Sequence, residues 1–337
     1  MKLRKPIAVL LMLVAACTKP GSHTSPVSYE PRAFYNALFE PETGILHGAG
    51  QDYDSYLAYA GQTGSSLFPI IYMDYIGLTR SVEKIDEWGQ DLRAELENLP
   101  PDVMPQIGLN LTAGNDDGSG QDESIVQGMY DAQIDAFIAA LKALDRPSFV
   151  RIGYEFEGDW NGYKPKTFVA VFKIITRRLR DRQVNAATVW CSAGGSAGFV
   201  PWEKLETYYP GDEWVDWWGV DIFSPEEITD PRLVTFLKKA DQHQKPVMIG
   251  ETTPRYVGVT NGEVSWNKWF RPFFQFMYQN PQVKAFCYIN WDWAYWSEKL
   301  GFGWHDWKDA RIERNEYVRH NYINELKSEL FVHTSKK

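Results

Sequence analysis

From Arg32 onward, short apolar runs of strand length alternate with longer stretches whose apolar positions recur every three to four residues. Eight runs read as strands: residues 33–39, 67–74, 103–111, 149–156, 187–193, 215–223, 246–251 and 284–291. Amphipathic helices are predicted between them at 53–63, 82–99, 123–144, 165–183, 231–244 and 265–279. A short helical piece falls at 203–208, and a helix at 315–330 closes the chain. Alternating strands and helices predict βα units on a parallel sheet. Eight such units over about 300 residues suit an α/β fold of the (β/α)8 TIM-barrel type, in a single domain over 32–331 with a tail at 332–337. A doubly wound open sheet is the alternative, but the G-x-G-x-x-G loop that usually follows its first strand is absent.

The fourth run carries the first candidate chemistry. Along 149–156, alternation sends Arg151, Gly153 and Glu155 to one face and Ile152, Tyr154 and Phe156 to the other. The second set suits a layer of covering helices. The first set places a cation and a carboxylate inside the sheet, where a charge needs a partner, water or a function. One reading is an Arg151–Glu155 ion pair that closes a core. The other is a catalytic carboxylate at a strand's C-terminal end, beside a polar loop that carries Trp160 and Asn161. Glu157 would share the face of Glu155 if the strand continued, but Gly158 suggests that it ends.

In a barrel enzyme the ends of the other strands matter equally. The second run ends in Asp74 and Tyr75, the sixth in Asp221 and Phe223, the seventh in Glu251, and the eighth in Asn290, Trp291, Asp292 and Trp293. Strands four and seven lie across a small barrel from each other, so Glu155 and Glu251 can converge. Retaining glycosidases need two carboxyl groups about 5 Å apart, one as nucleophile and one as acid/base. Trp160, Trp291 and Trp293 are candidate platforms for sugar rings, with packing as the alternative, whereas Trp217 and Trp218 inside a strand read as core. Asn161, Asp221 and Asn290 are candidates to bind sugar hydroxyls, with structural roles in the loop or at the strand ends as the alternative.

Composition narrows the function classes. The formal net charge is −9, which argues against nucleic acid and anionic surfaces as partners. None of the six histidines is paired at metal-binding spacing, so no metal and no cofactor is expected. Cys191 and Cys287 lie in apolar runs and read as buried thiols. At the N-terminus, Lys2, Arg4 and Lys5 precede a short apolar stretch, and Val14-Ala15-Ala16-Cys17 follows a lipobox pattern. That pattern resembles a bacterial lipoprotein signal and implies removal of residues 1–16 and acylation of Cys17. Residues 17–31, rich in Ser, Pro, Thr and Gly, then read as a flexible tether, and the expected location is the cell envelope with a lipid anchor as the only membrane contact.

Glutamates ending strands four and seven resemble the pattern of clan A glycoside hydrolases, and within that clan glycoside hydrolase family 26, the β-mannanases and their relatives. Arg151…Glu155…Gly158…Trp160 is similar to that family's Arg-x-x-His-Glu-x-x-Gly-x-Trp segment. Tyr208-Tyr209-Pro210-Gly211-Asp212-Glu213, followed by Val215, Asp216, Gly219 and Asp221, resembles its approach to strand six. Lys245-Pro246…Glu251 looks like its nucleophile strand, and Trp291 like its aromatic platform. The resemblance implies a retaining hydrolase of β-linked polysaccharide with Glu251 as nucleophile and Glu155 as acid/base, endo-β-1,4-mannanase-like. It also implies substrate contacts by Arg151, Tyr154, Glu157, Trp160, Asn161, Asp221, Phe223 and Trp291. Three positions depart from the family: Tyr154 stands for its His, Glu157 for its Asn, and Phe223 for a Tyr whose hydroxyl would contact the nucleophile. They leave open a clan A β-glucanase, for example on a β-1,3-linked glycan, or an inactive carbohydrate-binding lipoprotein.

Overall fold

Eight parallel strands close on themselves. They are β1 (Ile45–Gly50), β2 (Ile71–Gly77), β3 (Met104–Asn110), β4 (Ser148–Ile152), β5 (Ala186–Ser192), β6 (Trp217–Ile222), β7 (Val247–Thr252) and β8 (Val283–Ile289). Each pairs with the next, and β1 pairs with both β2 and β8, which shuts the barrel. The computed structural model describes residues 29–114, 117–198, 200–301, 303 and 306–334. Cys17, the signal segment and most of the tether lie outside the described residues.

The principal covering helices are α1 (Tyr53–Thr63), α2 (Val82–Glu97), α3 (Asp131–Leu144), α4 (Pro165–Asp181), the one-turn α5 (Trp202–Leu205), α6 (Pro231–Gln242), α7 (Arg271–Gln279) and α8 (Glu316–Leu326). Their starts are written in local chemistry. Asp52 and Ser55 form a capping box before α1, while Ser81, Asp230 and Asn315 cap α2, α6 and α8. Helix α4 starts on Pro165 and buries Phe168, Val171, Phe172, Ile175 and Leu179, a single stripe at helical spacing. The helix expected over 123–144 is two pieces, Asp122–Val126 and α3, because Gly128 takes a φ of 84° between them.

The first strand is not at 33–39. Asn36 and Phe39 have φ values of 59° and 64°, which no strand allows, and the segment crosses the floor of the barrel instead. Arg32 donates to the carbonyls of Met277 (2.9 Å) and Asn280 (2.7 Å), and Lys284 Nζ donates to that of Ala33 (2.7 Å). Trp217 donates its indole N–H to the carbonyl of Leu38 at 2.7 Å, and Phe39 meets Phe149 edge-on. The true β1, ILHGAG, reads weakly as a strand because two of its six residues are glycine. Both are needed: a Cβ at Gly48 would lie 2.7 Å from Cys287 Sγ, and one at Gly50 would lie 2.3 Å from the carbonyl oxygen of Met73. At the other end the chain stays engaged past 331. A ninth strand, β9 (Phe331–Val332), pairs with β1, and Thr334 donates its backbone N–H to Phe68 O at 3.0 Å.

Inside the barrel a cluster of Leu46, Ile71, Met73, Met104, Phe149, Ala187, Val189, Cys191, Trp217 and Met248 fills the lower layers. At the C-terminal end it meets half-buried aromatics, among them Tyr75, Tyr154, Trp291 and Trp307. Cys191 and Cys287 are both free thiols and buried. Among the described residues no helix is long and apolar enough to cross a membrane.

Candidate active site

Arg151 is the hub of the barrel's C-terminal end. It stands on β4 facing inward, fully buried, as alternation predicts, but its partner is not Glu155. Its Nη1 lies 3.1 Å from both carboxylate oxygens of Asp221, and its Nη2 lies 2.5 Å from Oε1 of Glu251. The side chains of Arg151 and Asp221 are wholly out of solvent, so the guanidinium and its carboxylates form one buried, charge-assisted group.

Glu251 reaches that group through a bulge. Met248 points into the barrel and Ile249 out, so strict alternation would place Gly250 inside and Glu251 outside. On β7 three steps, Ile249 to Thr252, match two steps on both neighbours, Val220 to Ile222 on β6 and Phe286 to Tyr288 on β8. That extra residue turns Glu251 toward Arg151 while Gly250 stays inside, the re-aiming role bulges have beside active sites. A Cβ on Gly250 would lie 2.7 Å from Asp221 Oδ1 and 2.8 Å from Arg151 Nη1. Gln106 Nε2 pins the bulge by donating to the carbonyl of Gly250 at 3.2 Å.

Glu155 arrives differently. Strand β4 ends at Ile152, not at 156, because Gly153 and Glu155 have φ values of 56° and 53°. The chain leaves the strand, and the backbone N–H of Glu155 donates to Cys191 O at 2.8 Å. Asn161 Nδ2 donates to the carbonyls of Tyr154 (3.1 Å) and Glu155 (2.9 Å), which fixes this turn. Trp160 donates its indole N–H to Glu155 Oε2 at 2.9 Å. Burial, then the negative charges of Asp221 and Glu251, hold the Glu155 carboxyl well above the usual carboxylate range.

Other candidates fall into different places. Glu157 does not share the face of Glu155. It is buried, bonded to the Ser192 hydroxyl and to the backbone N–H of Ala193 (3.1 Å), and burial pushes it up to about 7. Asn161 donates its amide N–H bonds to the turn, and Asp221 lies wholly buried with both carboxylate oxygens on Arg151. Phe223 packs its ring against Trp307, with centroids 4.8 Å apart. Trp291 stacks on Trp296 and meets Trp293 edge-on, and with Asn290, Asp292, Tyr295, Arg311 and Asp52 it lines a cleft of about 500 Å³. Trp160 is half-buried, and Gly158 leaves room against its ring: a Cβ there would lie 2.5 Å from the indole.

Tyr154 lies under the Arg151 guanidinium, whose carbon is 4.7 Å from the ring centroid, with the Asn110 side chain near its hydroxyl. Beside it stands Tyr75 from the end of β2, with ring centroids 5.6 Å apart. These two, with Asn110, Thr112, Trp88 and Arg80, line a larger cavity of about 650 Å³. Sequence reasoning noted Tyr75 only as the end of a strand and gave Trp88 and Trp307 no role. Trp88 belongs to a helix pattern and Trp307 to a loop, where aromatic residues carry no positional signal. The described residues hold no cluster of His, Cys, Asp or Glu suited to a metal ion.

A closed (β/α)8 barrel with one glutamate paired to a buried arginine and a second glutamate within its field, at the C-terminal ends of its strands, is a barrel of the glycoside hydrolase class. Residues 112–294 match the profile of Glycosyl hydrolase family 26, and the chain belongs to that family. Two curated relatives are similar in sequence. A β-1,3-xylanase of an Alcaligenes species is 29% identical over 322 residues, covering 88% of this chain and 66% of that protein. The β-1,3-xylanase TXYA of a Vibrio species is also 29% identical, with 67% of its length covered. The chain thus spans about two thirds of the length of these relatives. Among solved structures, GH26C from a Muricauda species superposes with a TM-score of 0.63 at 12% identity, over 86% of this chain and 87% of that one. The modular endo-β-1,4-mannanase of Cellulomonas fimi gives a TM-score of 0.62 at 14% identity, over 86% and 72%. At these identities the likeness is one of fold.

Proposed function

We propose that this chain hydrolyses a β-linked polysaccharide with retention of configuration, and that β-1,3-linked xylan is its first substrate. The observation that carries the mechanism is the unequal treatment of two glutamates at one site. Glu251 is ion-paired to Arg151, whereas Glu155 is kept protonated by burial and by the neighbouring negative charges. Two carboxyl groups whose environments push them apart divide into nucleophile and acid.

In the first step an oxygen of Glu251 forms a bond to the anomeric carbon while the glycosidic bond breaks, and Glu155 gives its proton to the leaving oxygen. The glycosyl ester is then cleaved by water. Glu155, now ionised, takes a proton from that water, the new C–O bond forms at the anomeric carbon, and the Glu251 carboxylate leaves. Arg151 keeps the oxygens of Glu251 in place during both steps. Around this centre the half-buried aromatics and two clefts offer the mixed apolar and polar surface that sugar rings need.

The choice of xylan rests on the two relatives named β-1,3-xylanase, each aligned over 88% of this chain. The departures at Tyr154 and Phe223 from the mannanase-like pattern favour the same choice. The test is a panel of β-1,3-xylan, β-1,4-mannan, β-1,3-glucan and β-1,4-glucan, read by new reducing ends, with early NMR of the product's anomeric proton. Release from β-1,3-xylan of a product that is first β is expected. Cleavage of mannan alone would overturn the substrate, a first-formed α product would overturn the mechanism, and no cleavage of any member would favour an inactive binding barrel.

A further inference from the structure

At the C-terminal end of the barrel one half-buried tyrosine has a hydroxyl without a strong acceptor. Tyr75 ends β2 with its ring against Tyr154, and its hydroxyl oxygen lies 3.5 Å from Nη2 of Arg151. The same Nη2 holds Glu251 Oε1 at 2.5 Å, so the phenol and the carboxylate share one guanidinium nitrogen. Within the described residues the Tyr75 O–H donates to Met73 Sδ at 3.3 Å, and a thioether is a weak acceptor. Tyr154 is its neighbour in the same cavity wall.

We infer that Tyr75 is a positioning residue for the glycosylation cycle, its hydroxyl donating to Glu251 as that carboxylate moves between the Arg151 pair and the bond to the sugar. This inference rests on the proposed role of Glu251 as nucleophile. Charge supports the geometry. Burial and then the negative charge of Glu251 raise the ionisation of the phenol well above its ordinary value, so it remains a proton donor at any working pH. Arg151, approaching the phenol oxygen, polarises the O–H in the donating direction. A carboxylate that becomes an ester loses much of its attraction to a cation. A second donor beside Arg151 keeps the leaving carboxylate oriented when the ester is hydrolysed, because the hydrogen bond strengthens as negative charge returns.

The experiment compares Tyr75→Phe and Met73→Leu in the full chain, on the best polysaccharide of the panel and on an activated aryl glycoside of the same sugar. Each variant keeps its side chain's bulk, and melting temperature is measured alongside. Tyr75→Phe is expected to lower kcat by about tenfold or more with KM within twofold, and the loss should persist on the aryl glycoside, where leaving-group protonation no longer limits. Met73→Leu is expected to stay within about threefold of the parent kcat. An unchanged kcat in Tyr75→Phe would overturn the inference. So would a rise in KM with kcat intact, which would make the hydroxyl a ground-state substrate contact. An equal loss in Met73→Leu would also overturn it, because the Tyr75–Met73 contact itself would then be what matters. Glu251→Gln separates the two levels. If it remains active, the nucleophile assignment fails first; if it is inactive while Tyr75→Phe is normal, only the role of Tyr75 fails.

Discussion

Asp221 sets both of its carboxylate oxygens 3.1 Å from Nη1 of Arg151, on the nitrogen opposite the one that holds Glu251. One cation therefore answers to two carboxylates, and a third, Glu155, stands within their field. The arrangement leaves one negative charge uncompensated when Glu155 is protonated. After Glu155 has given its proton away and Glu251 has become an ester, one negative charge is again uncompensated. The buried charge moves from one glutamate to the other without changing in amount, which spares the site a change of net charge in a low-dielectric setting.

From this follows an expected pH dependence. Among the neighbouring charges, that of Asp221 does most to raise the Glu155 carboxyl. In Asp221→Asn that charge is gone and Arg151 is less neutralised, and both changes favour ionised Glu155. Its folded-state pKa falls, so the acid loses its proton at lower pH. The alkaline limb of kcat/KM is expected to move down by about one unit or more. Arg151 retains Glu251, so the stability cost should stay below the about 3–5 kcal/mol of a buried charge left alone. A pH–rate profile with parallel thermal melts checks both parts; an unmoved or raised alkaline limb would remove Asp221 from the tuning of the acid.

Trp160 gives a second prediction. Its indole N–H is bonded to Glu155 Oε2 at 2.9 Å, so it acts on the acid through an edge contact. Trp160→Phe keeps an aromatic ring and deletes the donor. A donor to a carboxylate favours the charged form, so its loss should raise Glu155 further and leave it less well aimed. On polysaccharide, kcat is expected to fall by about tenfold, with a smaller loss on an activated aryl glycoside that needs little protonation. Steady-state kinetics on the two substrates decide it. A pure KM effect, equal on both, would assign Trp160 to sugar stacking instead.

How much of this was legible beforehand differs from residue to residue. Arg151 could be read as inward-facing because alternation in a short strand is a local rule, and it held as far as Ile152. The extension to Glu155 did not hold, since left-handed backbone at Gly153 and Glu155 ends the strand. An apolar and aromatic run cannot announce that, because the run continues while the geometry stops. The partners of Arg151 were likewise hidden: Asp221 is 70 residues away and Glu251 is 100. β1 was misplaced because side-chain propensity rewards 33–39 and penalises glycines, whereas closure of the barrel demands small residues at Gly48 and Gly50. Helices with a clear start signal and a single apolar stripe, such as α1 with its capping box and α4 with Pro165 in its first turn, were legible nearly to the residue.

Gly250 tests the device that aims the nucleophile. Alternation alone would leave Glu251 on the outer face of β7, and the extra residue at the bulge is what brings it to Arg151. The bulge works because residue 250 has no side chain. A methyl group there would stand 2.7 Å from Asp221 Oδ1 and 2.8 Å from Arg151 Nη1, and neither can retreat without breaking the ion pair. Gly250→Ala should therefore strain the charged cluster instead of finding space, at about 1–3 kcal/mol of stability. Because the displaced groups are those that hold Glu251, kcat should fall by at least about tenfold while the chain remains folded. Gly61→Ala is the control. It lies in α1 with nothing within 4 Å of the new Cβ, and a helical glycine replaced by alanine should gain up to about 1 kcal/mol with activity unchanged. Thermal melts and kinetics on the pair separate the two effects. Full activity in Gly250→Ala would mean that the bulge does not set the position of Glu251.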